Sequence, residues 1–194
     1  MELYGQPQYG WIVMTDDGHP YLYTEIQSEN DWRTMEVFDL KGEEICHVGT
    51  SNDSPHGALL NDPDGFYLTR RVDALGTYDA YRKFHVGESG MPVAENDVYT
   101  KVNVCDSKED EAALVSTREL PVTMMEADGS EKEEKLPVGT KYYVRATELE
   151  NFVEMGLSDG RRCRLAVKKS DKGWGFEIDG VYEEDCFEFI PYAG

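Results

Sequence analysis

Short apolar runs, each closed by a Gly, Asp or Asn turn, constrain the fold of this chain more than any other feature. The runs are rich in Val, Ile, Tyr, Phe and Thr, which fit the pleated, half-buried surface of a β-strand. They recur about every ten residues, which is the spacing of all-β sandwiches and barrels. The sequence therefore predicts an all-β protein built from antiparallel hairpins.

Four hairpins are predicted in the first half of the chain. The first joins residues 9–15 to 21–26 through Asp16, Asp17 and Gly18, since an Asp-Gly pair readily adopts the positive φ of a tight turn. The others pair residues 35–40 with 44–48, 66–72 with 78–86, and 91–94 with 98–104. Together they predict an N-terminal antiparallel β domain over residues 1–104, folded as a sandwich, a barrel or a propeller-like sheet.

Residues 105–117 interrupt this rhythm with a run of acidic residues and then an apolar stretch that ends at Val115. Asp106 or Ser107 is a candidate N-cap for a short helix with favourably placed acids in its first turn. We interpret this segment as a linker or short helix. Residues 118–194 carry five or six further short strands, and that many strands in about 75 residues is typical of a small SH3-like β-barrel.

The charge balance excludes several classes of partner. The chain has 39 Asp and Glu against 19 Lys and Arg, a formal net charge of -20. Nucleic-acid binding requires a basic surface that neutralises phosphates, and anionic membrane surfaces repel an acidic chain. We therefore expect no nucleic-acid partner. The apolar runs are strand-sized, so the sequence also predicts no transmembrane segment.

The start of the chain and its four cysteines leave the compartment open. Residues 1–9 lack the basic start, apolar run and cleavage site of a signal peptide, so the protein is either cytoplasmic or begins after a removed leader. No CxxC pair is present, and the spacing of the cysteines does not fit a structural zinc site. In an oxidising compartment the cysteines pair in any of three ways, and in a reducing one they stay thiols.

The N-terminal half resembles a family of uncharacterised exported proteins and lipoproteins of anaerobic Gram-positive bacteria. The family pattern is a strand, an Asp- and Gly-rich turn and a second strand, followed by Gly-containing segments. The corresponding residues here are 11–25, 37–49 and 59–65, with Asp16, Asp17, Gly18 and His19 in place of the family's alternating acids. The C-terminal half is similar to the SH3-like module that ends many bacterial envelope proteins. The resemblance implies an extracytoplasmic location and a non-catalytic binding role.

Calcium is one ligand that the acidic turns suggest, because Ca²⁺ prefers several oxygen ligands on one side of a tight loop. The best fragment contains Asn61, Asp62 and Asp64, and the second is Asp16 with Asp17. Neither fragment completes a twelve-residue calcium loop with its closing bidentate Glu. Asp and Asn also make turns through side-chain hydrogen bonds, and we favour that interpretation. We therefore expect no cofactor.

No catalytic constellation emerges from the sequence. Cys46 and His47 are adjacent, but neighbouring residues of a strand point to opposite faces and cannot form a dyad directly. Acidic residues are so abundant that a pair of them carries no information about glycoside hydrolysis. The sequence predicts no catalytic residue, and an envelope hydrolase that uses a carboxylate of the N-terminal domain is the alternative.

Aromatic and basic side chains near the C-terminus are the best candidates for a binding surface, because aromatics in the grooves of small barrels stack on sugars or prolines. Trp174 is flanked by Gly173 and Gly175, which predicts that its ring is exposed. Phe176, Phe187 and Phe189 are interpreted as core residues, because a barrel of about 75 residues needs large side chains to bury enough surface. The predicted ligand-binding residues are Tyr142, Tyr143, Arg162, Arg164, Trp174 and Tyr182.

The leading functional hypothesis is a secreted or envelope-attached protein that binds a cell-wall component or a protein partner through its C-terminal barrel. A purely structural interaction protein is a further alternative.

Overall fold

A computed structural model describes residues 6–28, 32–57, 65–102, 113–171 and 173–193, together with the backbone of residues 60–62. In this part of the chain the regular elements are strands and a 3-10 turn at Glu183–Asp185. All the strand pairs described below are antiparallel. The predicted all-β class is therefore confirmed.

The chain divides into two compact units. Unit 1 contains Met1–Arg71 and Tyr81–Asp97, and unit 2 contains Val72–Ala80 and Val98–Gly194. The chain thus enters unit 2 briefly, returns to unit 1 and enters unit 2 again. The division predicted from the sequence, with a linker or short helix at 105–117, differs from these units. Residues 105–112 of that segment lie outside the described residues, and Leu114–Val115 is a strand rather than helix.

A four-stranded sheet forms the first part of unit 1. Its strands are β1 (Gln6–Met14), β2 (Pro20–Gln27), β3 (Arg33–Asp39) and β4 (Cys46–Ser51), in the order β1-β2-β3-β4. Gly18 has a φ of 79° in the turn between β1 and β2, as its Asp-Gly sequence predicts. The first two predicted hairpins are confirmed, because β1 pairs with β2 and β3 pairs with β4.

The second part of unit 1 folds differently from the prediction in one respect. The strands are β5 (Leu60–Asp62), β6 (Gly65–Val72), β7 (Tyr78–Val86) and β8 (Pro92–Ala94), and the residues of β6 and β7 that lie within 72–80 belong to unit 2. The predicted pairing of 91–94 with 98–104 is wrong, because β8 turns back onto β7 with Val93 opposite His85. A turn closed by hydrogen bonds from Gly87 N to Met91 O and from Gly90 N to Gly87 O, both 2.9 Å, reverses the chain here.

The core of unit 1 lies between side chains of β2 and β3 and side chains of β6 and β7. Alternate residues of each strand point inward, as the period of two requires. The buried cluster comprises Tyr21, Tyr23, Met35, Val37, Phe66, Leu68 and Phe84. Unit 1 also contains two buried carboxylates. Glu25 pairs with Arg33, and Asp53 pairs with Arg70.

Unit 2 contains short strands that follow one another along the chain. These are β9 (Tyr99–Lys101), β10 (Leu114–Val115), β11 (Leu120–Met125), β12 (Glu131–Leu136), β13 (Lys141–Thr147), β14 (Phe152–Leu157), β15 (Arg162–Ala166), β16 (Lys168–Lys169), β17 (Phe176–Ile178) and β18 (Val181–Tyr182). The spatial order is β12-β11-β15-β14-β13-β9, with β10 beside β13, and β16-β17-β18 form a second small sheet.

Residues 72–80 complete the core of unit 2. Ala74 and Leu75 belong to the same buried cluster as Tyr142, Leu165 and Phe187. The backbone N–H of Val102 donates to Asp79 O at 2.8 Å, which ties this segment to the residues after β9. The N–H of Thr77 donates to Pro191 O at 3.0 Å. A segment from the first half of the sequence is therefore an integral part of unit 2.

Candidate functional site

Three aromatic rings near the end of the chain form a cluster in unit 2, which we call the Trp174 cluster: Trp174, Tyr182 and Tyr192. The ring of Trp174 meets Tyr182 at a centroid distance of 5.9 Å and 83°, and meets Tyr192 at 5.7 Å and 74°. Edge-to-face contacts of this kind fix the orientation of the rings. Trp174 nevertheless remains 57% exposed, so the sequence-based expectation of an exposed indole is confirmed.

Gly175 allows the close approach of the backbone to this cluster. Its φ is 72°, and a Cβ at this position would lie 2.5 Å from the Tyr182 hydroxyl and 2.7 Å from Glu183 Oε1. Side chains other than hydrogen therefore clash here and are also strained by the positive φ. Gly175 sets the position of Trp174 relative to Tyr182.

Glu183 lies beneath the cluster and supports it. Its carboxylate is fully buried and accepts hydrogen bonds from the N–H of Phe176 at 2.6 Å and from the N–H of Leu75 at 3.1 Å. Burial raises the pKa of Glu183, whereas the hydroxyl of Tyr192 and the two N–H groups act in the opposite direction. One carboxylate thus joins the start of β17 to residues 72–80.

Burial and neighbouring carboxylates raise the pKa of both phenols of the cluster. Burial raises the pKa of Tyr182, and the carboxylates of Glu184 and Glu183 raise it further. The pKa of Tyr192 is raised by burial first and then by Glu183. Both phenols therefore keep their protons at neutral pH and remain hydrogen-bond donors.

A second group of candidate residues lies on the outer face of the sheet β11-β15-β14-β13. Glu154, which is buried, receives Arg162 Nη2 at 2.7 Å and Arg164 Nη2 at 3.0 Å. Arg164 also donates through Nη1 to Glu131 at 2.7 Å, and its guanidinium lies 4.7 Å from the centroid of the Phe152 ring. Glu154 thus pairs with both of the predicted arginines, so they form a charge network within the protein.

Tyr143 joins this face through strand register. Tyr143 lies opposite Gly156, and Gly156 lies opposite Arg162, and directly opposed residues share a face of the sheet. The guanidinium of Arg145 lies 5.7 Å from the Tyr143 ring centroid. A Cβ on Gly156 would come within 3.0 Å of Arg145 Nε, so the glycine leaves room for this arginine.

The predicted site residues therefore divide between two places. Trp174 and Tyr182 come together in one cluster, and Tyr143, Arg162 and Arg164 lie on one sheet face. Tyr142 requires a correction, because its side chain is fully buried and meets Phe187 edge to face at 5.9 Å in the core. It points inward because β13 alternates and Tyr143 takes the outward position.

Phe187 is confirmed as a core residue, and Phe176 is partly buried and packs against the same core. Phe189, also predicted as core, is 71% exposed. The residues absent from the predicted set of ligand-binding residues are Tyr192, Arg145, Glu154 and Glu183. Acidic residues are so numerous that no sequence signal separates Glu154 or Glu183 from the others.

The candidate metal ligands and the cysteines are a separate set from the predicted ligand-binding residues. Asp64 and the side chains of Asn61 and Asp62 lie outside the described residues. Within the described part of the chain, no group of three His, Cys, Asp or Glu side chains is arranged to hold a metal. Cys46 is exposed, and Cys163 and Cys186 are buried thiols. Burial raises the pKa of Cys163 to about 12, which keeps it protonated and unreactive.

No helix in the described ranges has the length and apolarity that crossing a membrane requires. No family model, curated protein or solved structure matches the chain.

Proposed function

We propose that the protein is a non-catalytic binding protein of the cell envelope whose C-terminal unit is an SH3-like barrel. Its ligand, a cell-wall component or a protein partner, contacts the Trp174 cluster. The observation that carries this proposal is the indole of Trp174, which is held by two tyrosines and is still more than half exposed.

The physical argument rests on preorganisation. An exposed indole offers a large apolar face to a ligand. Because Gly175 and Glu183 already hold the rings and backbone in place, little conformational entropy is lost when a ligand binds. Stacking on sugar rings or on prolines is the interaction that such a surface favours.

The proposed extracytoplasmic location and the SH3-like assignment rest on the resemblance to exported proteins and to envelope modules. The succession of short antiparallel strands in unit 2 supports the barrel assignment.

A sedimentation assay on purified Gram-positive cell walls tests the proposal. The intact chain is expected to be retained, and Trp174→Ala should weaken retention by about tenfold or more, as loss of an interface Trp commonly does. The matched control is Trp32→Ala, because Trp32 is 46% exposed and belongs to unit 1. Equal retention of wild-type protein and Trp174→Ala would overturn the role of the cluster.

The sheet face with Arg162 and Arg164 stays a predicted second contact. Arg162→Ala in the same assay tests it, since the side chain of Arg162 is 55% exposed despite its contact with Glu154. A loss of retention with this variant alone would move the proposed site from the Trp174 cluster to the sheet face.

A further inference from the structure

Strand β1 of unit 1 is an edge strand of its sheet in the part of the chain that the structure describes. In the four-stranded sheet β1-β2-β3-β4, β2 is the only neighbour of β1 among the described strands. The nine residues of β1 therefore present one row of backbone donors and acceptors away from β2. The register is continuous from Tyr9 to Met14 after an irregularity between Pro7 and Tyr9.

The composition of β1 is unusual for this chain. Gln6–Met14 contains no charged residue, although 30% of the whole sequence is charged. Natural edge strands are commonly protected by charged side chains, by Pro or by bulges. Here Pro7 and the irregularity protect only the beginning of the strand. The remainder exposes Tyr9, Ile12 and Met14, each more than half accessible.

A groove of about 1220 Å³ runs beside β1 within unit 1. This volume exceeds the roughly 300–1,000 Å³ of typical small-molecule pockets. One wall is β1 from Gly10 to Met14, and the other contains residues 65–66 and 86–88. Trp11 and Val13 pack partly against the core on this side of β1. An extended segment placed along β1 would therefore meet apolar side chains on alternate residues.

The turn that carries the second wall is held in place by the core. The Tyr23 hydroxyl donates to Gly90 O at 2.7 Å. Gly90 has a φ of 85°, and a Cβ there would lie 2.1 Å from a carbon of the Tyr21 ring. The turn therefore sits directly on two buried tyrosines, and the groove is preformed.

The carboxylates that line the groove are Asp16, Asp17 and Glu88, and the first two follow the C-terminal end of β1. Asp16, Asp17 and Glu88 are exposed members of its lining. A hydrogen bond from the Thr15 hydroxyl lowers the pKa of Asp17 below its ordinary value. His19, the remaining titratable side chain at that end besides Tyr21, is paired with Asp39 at 2.8 Å. An occupant with a basic residue at this end is favoured by charge.

We infer that β1 accepts an extended segment of a partner protein as an added strand. The segment is apolar on alternate residues and carries Lys or Arg where it reaches Asp16, Asp17 and Glu88. Backbone hydrogen bonds to β1 supply affinity, and the groove and its acidic end supply specificity. A second copy of this chain fits less well, because its β1 brings no cation and two copies carry a net charge of -20 each.

Calorimetry with short peptides tests this inference on the intact chain. The probe is Lys-Val-Thr-Val-Thr-Val-Lys, and the comparison peptides carry Glu at both ends or N-methyl groups on alternate backbone nitrogens. The Lys peptide is expected to bind and to slow amide hydrogen exchange in β1. Each comparison peptide should bind at least tenfold more weakly. Equal binding of the N-methylated peptide, or no binding of the Lys peptide, would overturn strand addition.

Two variants locate the interaction. The double variant Asp16→Asn, Asp17→Asn should weaken binding of the Lys peptide by about tenfold, whereas the matched control Glu43→Gln, an exposed acid elsewhere in unit 1, should leave it unchanged. If the peptide-free protein forms a dimer in analytical ultracentrifugation and amide hydrogen exchange in β1 is slowed in that dimer, the occupant is a second copy of the chain and the inference is overturned. Trp174→Ala should not affect peptide binding, so this test and that of the proposed function fail independently.

Discussion

The two units have similar lengths, but the core of unit 2 is much larger than the core of unit 1. The buried cluster of unit 2 contains 22 described residues, whereas that of unit 1 contains seven. Apolar burial is the main favourable term in folding, so unit 2 has the larger share of it. Unit 1 depends correspondingly more on the fit of its turns and on buried ion pairs. We therefore expect unit 1 to be the less stable of the two.

The buried carboxylates differ in a related way. In unit 1, Glu25 and Asp53 each face an arginine. In unit 2, Glu154 also faces arginines, but Glu183 is held by the backbone N–H groups of Leu75 and Phe176. A carboxylate held by N–H groups joins backbone segments directly, which is the role that the discontinuous unit 2 requires. The predictions below test how far each unit depends on these features.

The largest effect is expected from removing residues 72–80 from unit 2. A chain of residues 98–194 alone loses Val72, Leu75 and two alanines from its core, which should cost at least about 5 kcal/mol and prevent folding. A chain of residues 72–194 in which a short Gly-Ser linker replaces residues 81–97 should fold. Dispersion of amide signals in NMR distinguishes the two, and a folded 98–194 would contradict the assignment of 72–80 to unit 2.

Two glycines with nearly the same φ provide a matched comparison between the units. Gly90 in unit 1 has a φ of 85° and faces Tyr21, whereas Gly129 in unit 2 has a φ of 83° and a Cβ added to it would have no neighbouring atom within 4 Å. Gly90→Ala should lower the free energy of unfolding by about 4 kcal/mol and Gly129→Ala by about 1 kcal/mol, since only the first adds a steric clash to backbone strain. Urea denaturation measures both, and equal losses would show that the tyrosine contact is unimportant.

Glu183 should control both stability and its pH dependence. Glu183→Ala leaves two backbone N–H groups without their acceptor and should cost about 3 kcal/mol. Because burial raises the pKa of Glu183 in the folded state, its stabilising contribution is complete below the ordinary pKa of 4.5 and is lost as the pH rises through the raised value.

Glu183→Gln should therefore flatten this fall in unfolding free energy. Denaturation midpoints between pH 4 and about pH 8 measure the effect, with exposed Glu184→Gln as the control. An identical pH profile for wild-type protein and Glu183→Gln would exclude a raised pKa at this site.

The smallest effect is expected at Arg162. Its side chain is half exposed, and exposed ion pairs contribute below about 1 kcal/mol. Arg162→Ala should therefore change the unfolding free energy by less than about 1 kcal/mol, as measured by thermal denaturation. A loss of several kcal/mol would mean that the network around Glu154 supports unit 2 as strongly as its apolar core.

Strand predictions succeeded where one face of the strand is buried. The predicted strand at 21–26, for example, matches β2, in which Tyr21, Tyr23 and Glu25 are the buried alternate residues. β12 carries no sequence signal of a strand, because five of its six residues are charged and nearly all are exposed, so apolar and polar residues do not alternate in it. The partner of β8 was also missed, since the turn through Gly87 and Gly90 depends on a tertiary contact with Tyr21.

The candidate site was foreseen only in part. Flanking glycines correctly indicated that Trp174 is exposed. Tyr142 and Tyr143 are adjacent tyrosines of one strand, and the sequence does not show which of them points inward. The hydrogen bond between Leu75 and Glu183 joins residues 108 positions apart, and no local sequence pattern indicates it.

The interleaving of the two units has a consequence for the order of events on the ribosome. All residues of unit 1 have been synthesised when the chain reaches Asp97, whereas Val72–Ala80 must wait for the strands that follow Val98. During that interval Val72 and Leu75 lack the partners that bury them in the finished protein. Nascent chains that stall between these points would therefore expose apolar surface to chaperones, although their first unit is complete.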